Sequence, residues 1–286
     1  MSQVVGRAAH DEAVARLRAS YDAIPAGAPV RLAKRTSNLF RSRSSLGTPG
    51  LDVSGLGGVV SVDVRPDGSA TADVQGMCTY EDLVDVTLPR GYIPLVVPQL
   101  RSITLGGAVT GLGIESTSFR NGLPHESVLE MDVLTGAGEI VTTRPGDDLF
   151  DAFPNSYGSL GYATRLRIEL EKVPGYVDLR HLRFDDLDAL AKTVAVIVEH
   201  GEHEGVRVDG LDGVVFEPGA ADGDGNRAVE ARVTELGGHK SLYSDAYYDR
   251  VTFDRLYGVE NQRKVKQQTD PEDRLTGLYE KAVNRR

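Results

Sequence analysis

The chain has 286 residues, 40% of them hydrophobic, and a formal charge of −10 from 32 basic and 42 acidic side chains. That length and apolar share support a sizeable core arranged as one large domain or two smaller ones, and the acidic balance argues against a general nucleic-acid binder. The single cysteine, Cys78, excludes an internal disulfide, and no signal-peptide core or membrane-spanning stretch is visible, so the chain reads as soluble and cytoplasmic, with peripheral membrane contact through a lipid-like substrate left open.

Ala13, Val14, Leu17 and Tyr21 recur at helical spacing and predict an opening amphipathic helix over 11–24. Val30, Leu32 and Ala33 suggest a short strand that runs into a polar turn at Lys34 to Asn38. The runs "GVVSVDV" and "SATADVQG" flank "RPDGS" and predict a hairpin. In "TYEDLVDVTLPRG", Thr79 is a candidate N-cap with Asp82 three residues on, and the helix should stop near Gly91. "YIPLVVP" reads as a buried strand, and "VLEMDVLTGAGEIVTT" as two strands about Gly136-Ala137-Gly138. "GYATRLRIELEKV" alternates, with Tyr162, Thr164, Leu166, Ile168 and Leu170 on one face and Arg165, Arg167, Glu169 and Glu171 on the other, which predicts a half-buried strand.

Residues 185–200 switch to helical period, with Leu187, Leu190, Val194 and Ile197 on one face. "VRVDGLDGVVFEPG" reads as extended, and "GAADGDGNR" as a loop or junction. A short helix "NRAVEARVTEL", a break at Gly237-Gly238, a strand "KSLYS" and a polar helical tail follow. This order is α+β, and the chain lacks the early G-x-G-x-x-G turn of a doubly wound dinucleotide fold.

The stretch "TLGGAVTGLGIESTS", residues 104–118, reads as a long loop of glycines and hydroxyl residues without the lysine of a nucleotide triphosphatase. Glycines allow close backbone approach, and successive N–H groups can face anionic oxygen. The residues alone leave two readings, a loop along a pyrophosphate or flat polar ring and a structural turn. His239 and the other histidines show no metal-ligand spacing, so no metal is assigned.

Residues 94–170 resemble the FAD-binding domain of the vanillyl-alcohol-oxidase and p-cresol-methylhydroxylase (PCMH-type) flavoproteins. The likeness rests on T-x-G-G with its following glycines, "VLEMDVLTGAGEIV", "DDLFDAF" and "GSLGYATRLRIEL", in that order. "GLGIESTSFRNG" is most similar to the Δ24-sterol reductase (seladin-type) branch, and decaprenylphosphoryl-ribose oxidase is a more distant likeness. The resemblance implies a PCMH-type two-subdomain FAD-binding fold over 1–174, a remnant of the cap or substrate domain over 175–236, and a C-terminal segment over 237–286 that returns to the FAD domain.

It also implies residue roles. The backbone of Lys34, Arg35, Thr36, Ser37 and Asn38 would hold the diphosphate from one side; the two basic side chains read equally well as a solvated turn. Thr104, Leu105, Gly106, Gly107, Gly111, Leu112, Gly113 and Ile114 would line diphosphate and flavin from the other. Tyr162 and Ala163 would approach the adenine end, and Tyr243 the isoalloxazine. Glu115 and Tyr243 are the candidate catalytic residues, Glu115 as acid or base or as a backbone-bonded carboxylate. His125 reads as a proton donor or as a histidine fixed by loop hydrogen bonds, and Cys78 as a small buried thiol.

Many members attach FAD through a histidine in the first loop; "AKRTSNLF" has none, and no cysteine stands in the second, so the resemblance implies non-covalent FAD. The expected activity is hydride transfer between flavin and a small apolar, sterol-like or alcohol substrate, with NADPH or another compound as electron donor. An alcohol or sugar oxidase and a flavin-binding or partner-binding remnant with an open substrate site are the alternatives. Oligomeric state is not legible.

Overall fold

The computed structural model describes residues 4–33, 50–212, 224–242 and 245–284. Helix α1 (Gly6–Asp22) precedes a hairpin of β1 (Val59–Val64) and β2 (Ala70–Gln75). Next come α2 (Tyr80–Thr87), β3 (Tyr92–Pro94), α3 (Leu105–Gly111) and α4 (Ser118–Asn121). A second hairpin, β4 (Val128–Leu134) and β5 (Ile140–Thr143), is followed by α5 (Asp148–Ala152) and the long β6 (Tyr162–Lys172). Beyond it lie α6 (Leu187–His200), the small pair β7 (Glu202–His203) and β8 (Val206–Arg207), and helices α7 (Asp224–Glu235), α8 (Arg250–Leu256), α9 (Val259–Thr269) and α10 (Leu278–Ala282).

The main sheet runs β1-β2-β6-β4-β5, all antiparallel, and β3 pairs with the far end of β6. Register explains both faces. Ala72, Ile168 and Val128 form one cross-strand row and Val74, Leu166 and Met131 the next, and these side chains enter one buried cluster with Leu83, Val86, Leu105, Val109 and Phe153. The opposite face carries Gln75, Arg165 and Asp132 in a row. Arg165 binds Asp132 at 2.7 Å and also bonds Asp73 and Glu130. The alternating pattern of β6 predicts a solvated charged face there; instead the Arg165 side chain is only 8% exposed, because three carboxylates neutralise it.

Helix α1 buries His10, Ala13, Leu17 and Tyr21 and forms a second cluster with Val30, Leu51, Leu56, Leu134 and Leu275. The C-terminal helices return to this body: Val265 joins the main cluster, and Ala137 N donates to Thr269 O at 3.0 Å.

Helix α2 follows its sequence signals closely. The Thr79 side chain accepts from Asp82 N at 3.1 Å, and Gly91 stops the chain at φ 81°. Three expectations need correction. Leu32 makes only an isolated parallel bridge to Leu51 in place of a strand. "KSLYS" forms no strand among its described residues, since Tyr257 OH donates to the Lys240 carbonyl and Lys240 pairs with Glu230. The stretched loop at 104–118 begins as helix α3, capped by Thr104, whose hydroxyl accepts from Gly107 N.

Candidate functional site

The glycines of α3 are explained first by packing. A Cβ on Gly76, at the end of β2, would fall 1.8 Å from the carbonyl oxygen of Ala163 in β6, and one on Gly106 would fall 2.7 Å from the carbonyl of Gly76. Gly106 N and Leu105 N donate to the carbonyls of Gly76 and Cys78. Strand β6, the end of β2 and the start of α3 therefore meet backbone to backbone, which only glycine permits.

Of the remaining glycines, Gly107 is exposed, Gly111 half-buried and Gly113 buried. A Cβ on Gly107 would meet only the Thr104 hydroxyl, one on Gly111 only the Tyr157 ring edge at 3.9 Å, and one on Gly113 only Glu115 at 3.4 Å. Tyr157 anchors the end of α3, its hydroxyl donating to Gly111 O at 2.8 Å and its amide to Thr110 O at 3.1 Å. It sits in a turn whose Asn155 and Tyr157 have φ of 60° and 50°, a conformation that non-glycine residues adopt at a cost of about 1–3 kcal/mol each. Beside it, Asn155 Oδ1 and Ser156 Oγ are buried without a hydrogen-bond partner among the described residues. Such orphaned atoms destabilise a fold by about 1–3 kcal/mol each unless a ligand or water satisfies them. Lys281 from α10 closes the turn, donating to Tyr157 O at 3.0 Å with its ammonium 5.8 Å from the Tyr162 ring centre.

Past α3, Ile114 is 72% exposed and Glu115 half-buried. The Glu115 carboxylate accepts from Gln99 N at 3.2 Å; burial pushes its pKa above the ordinary carboxyl value, with Asp212 acting in the same direction. Gln99 also bonds Asp212, and Leu211 N donates to Ser116 O at 2.8 Å, so residues 211–212 lie against this segment. His125 stands in the 124–127 turn that packs on α3. Its Nδ1 is buried without a partner among the described residues and burial lowers its pKa, which favours the neutral imidazole.

The structure thus brings together Thr104, Leu105, Gly106, Gly107, Gly111, Leu112, Gly113, Ile114 and Glu115, with the Leu105 side chain turned into the core. Ala163 is buried against Gly76, and Tyr162 is half-buried with its hydroxyl 3.5 Å from Val30 O. Lys34 to Asn38 and Tyr243 lie outside the described residues. Cys78 is fully buried, and desolvation pushes its thiol up to about 12, which leaves it unreactive. Sequence reasoning missed Asn155, Ser156, Tyr157 and Lys281. The signal for the first three was the turn composition of "PNSYGSLG"; Lys281 gave none. Among the described residues there is no cluster of potential metal ligands and no helix long and apolar enough to cross a membrane.

The exposed Gly107 and half-buried Gly111 of α3, with orphaned polar atoms in the turn that holds its end, fit a flat, polar, anionic cofactor. Residues 3–144 match the family described as FAD binding domain. The chain is 30% identical over 203 residues to cytokinin dehydrogenase 6 of Oryza sativa subsp. japonica, covering 69% of this chain and 35% of that protein. It is 33% identical over 139 residues to cytokinin dehydrogenase 1 of the same plant, covering 48% and 26%, so it spans about a quarter to a third of these relatives' length. A solved structure of 6-hydroxy-D-nicotine oxidase from Arthrobacter nicotinovorans aligns with a TM-score of 0.44 at 17% identity, over 60% of this chain and 36% of that one. Over residues 3–144 the chain is thus similar to an FAD binding domain, and its mixed helices and antiparallel sheet have the PCMH-type α+β fold.

Proposed function

We propose that the chain holds FAD without a covalent link and acts as an oxidoreductase on a small apolar, sterol-like or alcohol substrate. The observation that carries this reading is the seam where Tyr157 of the 155–158 turn binds the end of α3 at Gly111, which lacks a Cβ, next to Asn155 Oδ1 and Ser156 Oγ, both buried without a partner among the described residues. When bound, FAD supplies hydride chemistry. The residues from Thr104 to Gly107 and from Gly111 to Ile114 would hold it, together with the Lys34 to Asn38 backbone. Tyr162 and Ala163 would serve its adenine end and Tyr243 its ring. Glu115, whose raised pKa lets it keep a proton at higher pH than an ordinary carboxyl, takes or gives the substrate proton at its carboxylate oxygens.

Uptake of FAD by the purified chain, followed by acid precipitation, tests the cofactor assignment. Flavin absorbance that moves to the supernatant is the expected result, and a chain that takes up no FAD overturns it. Anaerobic bleaching of the bound flavin then tests the reaction, with alcohols, sterol-like compounds and cytokinins as substrates and NADPH as a separate donor. FAD binding without turnover is the second reading. It is favoured by residues 175–200, the expected start of a substrate domain, which leave Tyr176 at 96% and Leu187 at 76% exposure. Under it the flavin binds and no donor or substrate changes its spectrum.

A further inference from the structure

Resting on the reading of Glu115 as the proton-handling group, we propose that Gln99 and Asp212 are its positioning residues, fixing the carboxyl so that one oxygen is anchored and the other carries the proton beside Gly113. Three segments converge on that carboxyl. The first is its own: Glu115 N donates to Ser118 Oγ at 3.0 Å and Ser118 N donates back to Glu115 O at 2.9 Å, which closes the backbone into a turn. The second is residues 95–99. Leu95 O accepts from Thr117 Oγ1 at 2.9 Å and from Asn121 Nδ2 at 2.6 Å, and at the other end Gln99 N donates to Glu115 Oε2 at 3.2 Å. The third is residues 209–212, where Asp209 O accepts from Arg120 Nη2 at 3.5 Å and Leu211 N donates to Ser116 O at 2.8 Å. The Gln99 side-chain amide joins the second segment to the third by donating to Asp212 Oδ2.

The two oxygens of Glu115 therefore have different surroundings. Oε2 is held by the Gln99 amide. Oε1 lies against Gly113, where a Cβ would stand 3.4 Å from it, so it is turned to the 111–114 stretch proposed to hold FAD. Burial disfavours the charged form of this carboxyl and Asp212 adds to that, while the Gln99 N–H favours it; the net direction is up. The other ionisable groups nearby do not cancel Asp212. Arg120 pairs with Glu171 at 2.7 Å, and Tyr80 at the start of α2 stays neutral because burial, with Glu115 adding to it, pushes its hydroxyl up. Gln99 thus serves twice: its backbone anchors Oε2, and its side chain keeps Asp212 close enough to hold the proton on Glu115.

Carbon-13 NMR of the purified chain, labelled at the glutamate side-chain carboxyl, tests this arrangement. The Glu115 resonance is identified by its loss in Glu115→Gln, and its titration midpoint should lie above the ordinary value of about 4.3. Asp212→Asn and Gln99→Ala, which keeps the backbone amide, should each lower that midpoint by roughly half a pH unit. The double variant should go no lower than Asp212→Asn alone, because the Gln99 side chain acts on the proton through Asp212. Gln99 and Asp212 are exposed, so circular dichroism should not change, which separates a moved proton from a lost fold. In the FAD-loaded chain, the pH profile of anaerobic bleaching should move to lower pH by the same amount. A midpoint that either substitution fails to lower, or two shifts that add, overturns the proposal. The titration needs neither flavin nor substrate, so a chain that shows these shifts and takes up no FAD overturns the functional reading while the placement of the Glu115 carboxyl stands.

Discussion

β6 and α6 are both predicted from apolar periodicity, and their fates differ. In β6, Leu166 and Ile168 are wholly buried, and even Arg165 is hidden. In α6, Ile197 alone is buried and Leu187 stands in solvent. The strand lies between β2 and β4, which meet both of its edges and extend both of its faces, whereas the helix has its own chain on one side only. Periodicity selects the type of element; burial depends on whether another surface arrives to cover it.

Substitution at glycine breaks this contrast most sharply. Gly76→Ala places a methyl 1.8 Å from the Ala163 carbonyl oxygen, and denaturant unfolding should show a loss of about 4 kcal/mol or more, or no folded protein. Gly175, at the start of the open region, has nothing within 4 Å of the point where an alanine methyl would stand, so Gly175→Ala should change stability by no more than about 0.5–1 kcal/mol.

Removal of the buried guanidinium comes next. Arg165→Met leaves Asp73, Glu130 and Asp132 without their shared cation, and a loss of about 3–5 kcal/mol near neutral pH is expected from urea titration. The pH dependence has a definite sign. Arg165 holds Glu130 below the usual carboxyl range; for Asp132, burial pushes upward, but bonds from Arg165 and Thr142 outweigh it and the net shift is down. Their contribution is present above the ordinary carboxyl values of about 4 and is lost as pH falls through the lower folded-state values. The gap between Arg165→Met and the parent should therefore narrow in acid; a constant gap would show that the loss is packing alone.

His10 provides a smaller effect on the same face. Gln75 Oε1 accepts from Gly58 N at 2.7 Å, which turns the Gln75 amide nitrogen toward His10 Nδ1 at 3.3 Å and requires an unprotonated acceptor there. Burial lowers the His10 pKa, with Arg7 adding to it. Its contribution to stability is complete above about 6.5 and declines as pH falls through that value toward the lower folded-state pKa. Melting curves recorded from neutral pH down through the histidine range should show a decline that His10→Gln reduces. The least effect on folding is expected in α6, where Val194 is exposed and Val194→Asp should leave the stability of the chain within about 0.5 kcal/mol.

Local signals were legible wherever chemistry between near neighbours decides the outcome. Thr79 and Asp82 start α2, Gly91 ends the short turn after it, and the glycines about Ala137 close the β4–β5 hairpin. The 104–118 stretch was legible as a special segment with a wrong conformation, because the cap at Thr104 and the amide bonds to Gly76 and Cys78 hold its glycines in a helix despite their poor propensity. Lys281 was illegible as part of the site, because 124 positions separate it from the Tyr157 carbonyl it meets.

Periodicity, caps and turn chemistry act over short spans, and they were enough for the α+β class and most element positions, whereas the expectation of FAD rested on the family resemblance of residues 94–170, and residues 3–144 match an FAD binding domain. Other features emerged only when the chain was folded: Gly76 and Gly106 serve backbone packing, Arg165 is buried among carboxylates, Asn155 and Ser156 stand unpartnered beside α3, and the apolar side of α6 remains uncovered. Each of these depends on which distant surfaces meet, and contact between remote segments is settled by the packing of the whole chain.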